Sequence, residues 1–389
     1  MRFHVVNLPH TQTTKDFVHC AYTTKVVRFC NMMTSLGHDV FLYSSDDNDA
    51  ECTEHISVMP KKMQDLHFKT DHKKTFFPIE WDSDLPYWKY MNTNAIGAIS
   101  KRIEDGDFIC LIGGNCQKPI ADAFPNHKSV EYGIGYEGIF SNFCIFESYA
   151  WMHYVYGKMG ISNGRYFDSV IPNYYDSTDF PLVEKKKDYF LYIGRVTQRK
   201  GLVVANDLCR KIGKKLLVVG QGAEVQGDTL VGDHVTLDCD FEYLGVITDP
   251  VAKAKVIGEA QAVLVNTQYI GPFEGVHVEA AFCGTPVITT DWGVFAETVI
   301  QNFTGFRTRT LGEAAWAAEQ VQYLEPKAIH DYAIANYSMD RVKVQYQAYF
   351  EQLQTLDEKG WYSDWNTGIS KYDRYRKVYP EHVQFIRQP

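Results

Sequence analysis

Two glutamates, five positions apart, raise the question of a catalytic pair. Glu274 and Glu279 lie in GPFEGVHVEAAFCGTP (271–286), between an apolar, strand-like run and a Cys-Gly-Thr-Pro sequence. Two carboxylates could act as acid and base, but in a helix five positions rotate by about 140°, so the side chains cannot share a face. We therefore predict no simple catalytic dyad: Glu274 belongs to a loop, and Glu279 lies about one turn inside a helix that begins near Gly275.

The start of that helix is a candidate binding site. Unpaired N–H groups and the positive end of the helix dipole favour an anion or a sugar hydroxyl there. Glu279 is followed by Ala280, Ala281 and Phe282, which predicts a buried helix, and a buried carboxylate requires polar partners such as ribose hydroxyls. The alternative is an ordinary glutamate on the surface of a helix.

Two cations form the second candidate. In YIGRVTQRKGL (192–202) a strand ends at Gly194, and Arg195 and Lys200 follow in the loop before a helix that starts near Gly201. Arginine can fork around phosphate oxygens and lysine supplies a point charge, so the pair predicts a diphosphate clamp. Two solvated surface cations are the alternative.

Glycines mark two further loops. Gly220 and Gly222 follow an apolar strand and permit close backbone approach or a left-handed turn. Gly133 and Gly135 begin GIGYEG, which matches the dinucleotide-binding fingerprint but lies late in its half of the chain rather than in the first βα unit. We expect this second stretch to be a glycine-rich loop that lines a cleft.

Three polar residues carry weaker signals. Thr14 and Lys15 resemble the end of a phosphate-binding loop, but no glycines precede the lysine, so an acceptor-facing loop and a plain polar surface loop both stay open. His153, in ESYAWMHYVYG, lies among aromatic residues and is expected to be packed or hydrogen-bonded in a core, with a place in the cleft as the alternative. No spacing of residues predicts a metal site or a nucleophilic triad.

Alternating strands and helices must position these residues. Short apolar runs such as FHVVNL and DVFLYSS alternate with helical segments, which predicts βαβ units and parallel sheets. A helix is predicted over Lys25–Leu36, ending at Gly37. The segment from 46 to 92 is assigned to loops and short elements, because no clear period runs through it.

We predict an α/β protein with two Rossmann-like, doubly wound domains that face a central cleft. The length of 389 residues suits two cores, and the rhythm of strands and helices restarts after a link that contains Pro172 and Pro181. The predicted domains are 1–172 and 173–340, and a helical tail, 341–389, packs back on the first. Such sheets bind ligands at the carboxyl ends of their strands, where the candidate residues lie.

The composition argues against several functions. A net charge of −9 disfavours nucleic acid and broad binding to anionic membranes. Nine scattered cysteines are typical of a reduced, intracellular protein. The start, MRFHVVNLPH, lacks the long apolar stretch that is typical of a signal peptide, and no apolar run of about 18 residues occurs elsewhere. We therefore expect a cytoplasmic protein without a transmembrane segment; peripheral contact with a membrane and the oligomeric state stay open.

Taken together, the second half resembles the retaining glycosyltransferases of family 4 (glycosyl transferases group 1), which have the GT-B fold. The stretches that carry the resemblance, in the family's order, are VIPNYYD, GRVTQRKG, VVGQG, FEYLG and AVLVNTQYIGPFEGVHVEAAFCGTPVITTDWGVFAETV. They cover about half of the chain, whereas the first half has no equally sharp motif.

The resemblance implies transfer of a sugar from a nucleoside diphosphate sugar, UDP- or GDP-linked, to a carbohydrate or other hydroxyl acceptor. It implies retention of the anomeric configuration, no bound metal and no permanently bound cofactor. Arg195 and Lys200 match the pair that neutralises the diphosphate leaving group, and Glu279 matches the residue that holds the ribose. The backbone of 273–276, that is Phe273, Glu274, Gly275 and Val276, would hold the donor sugar and its phosphate.

One position departs from the family's pattern. Relatives carry a first glutamate eight residues before the second, and here that position is Gly271, while Glu274 stands at the family's usual glycine. Either Glu274 reaches the site from three positions along, or the site lacks that carboxylate. The alternatives to an active transferase are therefore a weakened or inactive GT-B binding protein and, within enzymes, a sugar-nucleotide epimerase, although no acid–base pair is placed for the latter.

Overall fold

The computed structural model describes residues 1–17, 20–68, 79–238 and 241–356. Within these ranges the chain forms two compact units. Unit 1 comprises 1–147, 155–174 and the described residues from Met339 onward; unit 2 comprises Ser148–Tyr154 and Tyr175–Ser338. The remainder of the predicted tail, 357–389, lies outside the described residues.

Unit 1 contains a parallel sheet of seven strands in the order β3-β2-β1-β4-β5-β6-β7. The strands are β1 Arg2–Val6, β2 Asp39–Ser44, β3 Glu54–Ser57, β4 Phe108–Leu111, β5 Lys128–Ile134, β6 Phe143–Phe146 and β7 Ser169–Val170. Strands β4 and β6 are buried at every position, as expected for central strands of a parallel sheet that is covered on both faces.

The helices of the first half are α1 Ala21–Ser35, α2 Lys61–His67, α3 Pro86–Ile99, α4 Lys118–Ala123 and α5 Tyr149–Met159. Helix α1 begins four residues before the predicted start, and its stop at Gly37, with φ 79°, agrees with the prediction. The assignment of 46–92 to loops and short elements is wrong for α3. Its buried positions include Trp88, Met91 and Ala95, a helical spacing that follows the prolyl start of the helix.

Unit 2 has a parallel six-stranded sheet in the order β13-β9-β8-β14-β15-β16 and a separate three-stranded sheet, β10-β11-β12. The strands are β8 Phe190–Ile193, β9 Leu216–Val219, β10 Ala223–Gln226, β11 Thr229–Gly232, β12 Val235–Asp238, β13 Phe241–Tyr243, β14 Ala262–Val265, β15 Val287–Thr290 and β16 Gly305–Thr308. The helices are α6 Leu202–Ile212, α7 Pro250–Gly258, α8 Val276–Phe282, α9 Phe295–Thr298, α10 Leu311–Gln320 and α11 Pro326–Tyr337.

The small antiparallel sheet has no counterpart in the sequence prediction. Gln226 pairs with Thr229, and Gly232 pairs with Val235, so each connection is a two-residue turn. Residues with positive φ, Gly227 and His234, lie in these turns, as tight antiparallel hairpins require. Along the chain, this meander of three strands lies between β9 and β13 of the main sheet.

After unit 2 the chain returns to unit 1 through α12, Met339–Gln354. Phe350 is fully buried in the core of unit 1, and the centroid of its ring lies 4.7 Å from that of Phe3 and 5.0 Å from that of Phe108. Aromatic packing of this kind stabilises a core beyond the area that it buries. In the described part of the chain, no helix is long and apolar enough to cross a membrane.

The stretch Ser148–Tyr154, which the predicted boundaries put in the first domain, packs with unit 2. The carboxylate of Glu297 accepts hydrogen bonds from the backbone N–H groups of Tyr149 and Ala150, at 3.0 and 2.9 Å. The hydroxyl of Ser148 donates to the carbonyl of Pro272 at 2.7 Å. These contacts join residues more than a hundred positions apart, so no local pattern could assign the stretch.

Candidate functional site

The two stretches singled out in the second half lie side by side at the carboxyl ends of β8 and β14, which pair in parallel. The backbone N–H of Gln268 donates to the carbonyl of Arg199 at 2.9 Å. Gly201 approaches the next segment so closely that a Cβ there would lie 2.0 Å from the carbonyl oxygen of Asn266. The loop with the cations and the loop with Glu274 are therefore held together by backbone contacts.

Lys200 and Glu274 form a buried ion pair within this site. The lysine Nζ lies 2.5 Å from Glu274 Oε2, with 20% and 7% of the respective side chains exposed. Tyr269 donates its hydroxyl hydrogen to Oε1 at 2.7 Å, and Thr267 donates to Oε2 at 3.3 Å. The carboxylate is therefore satisfied by one cation and two hydroxyl groups, as a buried charge must be.

Electrostatics keeps both partners ionised at neutral pH. Burial by itself would raise the pKa of Glu274, but the charge and hydrogen bonds of Lys200 and Tyr269 hold that pKa below its ordinary value. Burial opposes the charge of Lys200 as well, and Glu274 nevertheless raises the pKa of the lysine. Opposite charges in contact favour the charged form of each other.

Gly271 makes room for the Glu274 carboxylate. A Cβ at position 271 would lie 2.3 Å from Oε1 of Glu274 and 2.9 Å from its Cδ. The Glu274 backbone has φ 59°, in the left-handed region that non-glycine residues rarely adopt. Its side chain thus occupies the space beside Gly271, in the direction of Lys200.

Arg195 is in a different position from Lys200. Both residues follow β8, but the Arg195 side chain is exposed, whereas only 20% of the Lys200 side chain is exposed. The Arg195 carbonyl accepts a hydrogen bond from the Tyr192 hydroxyl at 2.7 Å, which anchors the loop. The two cations of the predicted clamp therefore differ in their exposure to solvent.

Glu279 has a protein partner. It lies in α8, as predicted, with 14% of its side chain exposed, and its Oε2 is 2.7 Å from Nζ of Lys253 in α7. The two charges touch without the alignment of a hydrogen bond. The partners predicted for Glu279 were hydroxyl groups of a ligand. Lys253, 26 positions earlier, was not predicted, because no local period relates the two helices.

The remaining predicted residues of the second half lie in the loops around the Lys200–Glu274 pair and at the start of α8. A Cβ at Gly220 would lie 1.7 Å from the Gly194 carbonyl oxygen, so these two glycines let the loops after β8 and β9 touch. Gly222 begins the turn into the meander with φ 92°. A Cβ at Gly275 would lie 2.3 Å from the Tyr175 hydroxyl oxygen. Phe273 is buried, and Val276 is the first residue of α8.

Three further side chains of this site, Tyr269, Arg199 and His277, were not predicted from the sequence. Tyr269 bonds to Glu274, and the Arg199 guanidinium lies 3.8 Å above the tyrosine ring, a cation–π contact. His277 is buried in the first turn of α8, and its Nδ1 lies 2.6 Å from the Glu274 carbonyl oxygen. The signal that could have identified Tyr269 is its place in the loop after the apolar strand β14, two residues before Gly271.

The candidates of the first half do not converge on one another. Lys15 is exposed, and its backbone N–H donates to Asp49 at 2.9 Å, while Thr14 is partly buried beside it. Gly133 belongs to β5 rather than to a loop, with φ 57°, and its carbonyl accepts a hydrogen bond from the buried Lys25 at 3.2 Å. Gly135 is the first residue after β5. The predicted glycine-rich loop thus begins two residues late.

The expectation for His153 is wrong in its placement. Its side chain is exposed on α5, where its ring stacks on that of Tyr149 at 6.4 Å between centroids. The aromatic residues around it in sequence suggested a core, but the buried residues of this helix are Trp151, Val155 and Tyr156, and His153 is not among them. A helix with aromatic residues on more than one face gives no clear burial pattern.

Unit 1 also contains a buried ion pair that sequence analysis missed. Lys25 of α1 forms an ion pair with the carboxylate of Glu147, which follows β6 and accepts a hydrogen bond from the Asn173 side chain at 2.9 Å. The ammonium lies 4.8 Å from the centre of the Tyr22 ring. Among the residues that the structure describes, no cluster of three or more His, Cys, Asp or Glu side chains could hold a metal ion.

Comparison with known proteins finds a family that matches the part of the chain around this site. Residues 176–337 match the family "Glycosyl transferases group 1". A search of curated protein sequences finds no match. The segment that carries the site is therefore similar to the group 1 glycosyl transferases over residues 176–337.

Solved structures define the fold of the whole chain. AviGT4, a glycosyltransferase involved in avilamycin A biosynthesis, is 17% identical, with 91% of this chain and 98% of that one covered and a TM-score of 0.63. Sucrose-phosphate synthase from Thermosynechococcus elongatus is 17% identical, with coverage of 91% and 99% and a TM-score of 0.66. Anabaena HepE in complex with UDP and glucose is 14% identical, with coverage of 92% and 100% and a TM-score of 0.56. The chain has the GT-B fold of these glycosyltransferases, as predicted.

Proposed function

We propose that the protein is a retaining glycosyltransferase that moves a sugar from a nucleoside diphosphate sugar, UDP- or GDP-linked, to a carbohydrate or other hydroxyl acceptor. The observation that carries the proposal is the buried Lys200–Glu274 pair at the carboxyl ends of β8 and β14, in the segment that matches the group 1 transferases. Buried ionic groups in contact at the ligand-binding edge of such a sheet are typical of a functional site.

The cations supply charge for the leaving group. A nucleoside diphosphate that departs gains negative charge in the transition state, and cations placed in advance lower the barrier without a metal. Lys200 is already oriented by Glu274, whose carboxylate Tyr269 holds in place, while the exposed Arg195 can bind phosphate oxygens. Because Glu274 neutralises Lys200 in the free protein, the donor diphosphate must share the lysine with that carboxylate.

The carboxylates have separate proposed roles. Glu274, three positions after Gly271, would accept hydrogen bonds from hydroxyls of the donor sugar, and Glu279 would hold the ribose in exchange for part of its contact with Lys253. The backbone of 273–276 would hold the sugar and its phosphate. Gly194, Gly220 and Gly222, which have no side chains, would let the donor approach the backbone closely.

The proposal also extends to the acceptor and to the compartment in which the protein works. We assign the acceptor to the first domain, with Thr14, Lys15, Gly133 and Gly135 as candidates, and His153 as an exposed candidate on α5. A cytoplasmic location is supported by the free thiols of all eight cysteines in the described part of the chain.

Donor binding and turnover test the proposal. UDP, GDP and their sugars are added to the protein, and the thermal shift and the release of nucleotide are recorded. Lys200→Met should lower kcat on the order of 10²–10³-fold, as removal of a preorganised electrostatic group does. Lys214→Met is the matched control, because Lys214 pairs with Asp188 at an exposed site of the same unit.

The outcomes separate the alternatives. Binding of nucleotide without release of product would support the inactive binding protein instead, and interconversion of the donor sugar without an acceptor would support the epimerase. If neither UDP nor GDP compounds shift the melting temperature, the donor site itself is refuted.

A further inference from the structure

His277 has a polar side chain that is buried between two aromatic rings. Its side chain lies between the rings of Phe273 and Phe295, with both pairs of centroids 5.5 Å apart. Its Nε2 has no hydrogen-bond partner among the described residues. An aliphatic or aromatic side chain would suit these surroundings without burying an unpaired nitrogen, which is unfavourable, so another contact must offset that cost.

That contact is the hydrogen bond to Glu274. Nδ1 lies 2.6 Å from the Glu274 carbonyl oxygen, and a carbonyl oxygen only accepts, so Nδ1 carries the hydrogen. Burial lowers the pKa of His277 to about 4, and the ring is therefore neutral at physiological pH. The tautomer with hydrogen on Nδ1 leaves Nε2 bare, in agreement with its lack of a partner.

The Glu274 backbone needs such support. At φ 59° it is one of three non-glycine residues with positive φ in the described part of the chain, and this conformation is unfavourable for a residue with a Cβ. The backbone N–H of His277 also points to the Glu274 carbonyl, but at 3.4 Å. The short bond from the ring is thus the stronger link between α8 and the peptide group that follows Glu274.

The conformation of Glu274 determines the direction of its carboxylate. A different φ would turn the Cβ away from Gly271, and the carboxylate would no longer reach both Lys200 and Tyr269. We propose that His277 is a positioning residue. Through its hydrogen bond to the Glu274 carbonyl, it keeps the Glu274 carboxylate in contact with Lys200 and next to Gly271. The functional part of this inference rests on the proposed role of Glu274 with the donor sugar.

Two nearly isosteric substitutions separate the hydrogen bond from packing. His277→Asn keeps an N–H donor close to the place of Nδ1, whereas His277→Leu has the same branching and no donor. Each is made in the natural sequence and in Glu274→Gly, where glycine adopts positive φ at little cost. The melting temperature is measured for all variants. For the variants that retain Glu274, kcat and KM for the donor sugar are measured as well.

We expect His277→Leu to lower the melting temperature clearly more than His277→Asn in the natural background, and the two to differ little in Glu274→Gly. We also expect His277→Leu to lower kcat/KM by about 2- to 13-fold relative to His277→Asn, the range of one net hydrogen bond. Equal melting temperatures of the two variants in the natural background, or an equal difference in both backgrounds, would overturn the proposal.

The two proposals can fail separately. A natural protein that neither binds nor turns over nucleotide sugars contradicts the proposed function, while the unfolding comparison still reports on the His277–Glu274 contact. Conversely, an active enzyme whose His277→Leu and His277→Asn variants behave alike retains the proposed function and refutes the positioning role.

Discussion

The close approach of Gly271 and Glu274 leads to a quantitative prediction for Gly271→Ala. The added Cβ would lie 2.3 Å from Glu274 Oε1, 2.8 Å from its Cγ and 2.9 Å from its Cδ. All three atoms belong to one side chain, and the backbone of Gly271 is outside the positive-φ region. Alanine is therefore compatible with the backbone, and the whole conflict lies with a carboxylate that Lys200 and Tyr269 hold in place.

The magnitude follows from two opposing terms. Forcing an extra carbon into a packed site costs about 1–3 kcal/mol, and replacing glycine by alanine returns about 0.4–1 kcal/mol through the unfolded chain. We expect a net loss of about 1–2 kcal/mol in the free energy of unfolding, which for a unit of this size lowers the melting temperature by roughly 2–8 °C. The displaced carboxylate should also weaken donor turnover.

The matched control is Gly271→Ala in the Glu274→Gly background. There the three opposing atoms are absent, so alanine should be neutral or slightly stabilising. Calorimetric unfolding of the four proteins isolates the clash as the difference between backgrounds. An equal fall in melting temperature in both backgrounds would refute the inference that Glu274 occupies the space beside Gly271.

Three further predictions concern buried ionisable groups. Glu274→Gln leaves the Lys200 charge uncompensated, and the free energy of unfolding should fall by about 3 kcal/mol, measured by chemical denaturation at neutral pH. The pKa of His277 is lowered to about 4 in the folded protein, against about 6.5 when unfolded. The unfolded chain therefore takes up the proton first as the pH falls, so up to about 3 kcal/mol of stability, fully present above pH 6.5, is lost towards pH 4; unfolding of His277→Asn should lack this slope. In unit 1, Lys25→Met and Glu147→Gln should each cost about 3–5 kcal/mol, while the double variant should cost much less than the sum, as a double-mutant cycle of melting curves would show.

Much of the architecture follows from local pattern. Period-2 and buried apolar runs mark strands such as β8 and β14, and glycine stops mark the ends of helices, since these signals depend on a few consecutive residues. Helix α3 and the meander β10–β12 were missed although their signals are local: the first is obscured by charged residues upstream, and the second depends on two-residue turns that lack the commonest turn pair.

The sequence alone determined the class of fold, the loop with Arg195 and Lys200, and the resemblance of the second half to group 1 glycosyltransferases, because each is written in consecutive residues. Only the tertiary structure decided the partners of those residues. Lys200 meets Glu274 across 74 positions, and Glu279 meets Lys253 in another helix. Such contacts depend on the path of the chain and on single backbone angles, such as the positive φ of Glu274, which no periodicity encodes. With that angle, Glu274, which stands at the family's usual glycine position, directs its carboxylate past Gly271 to Lys200.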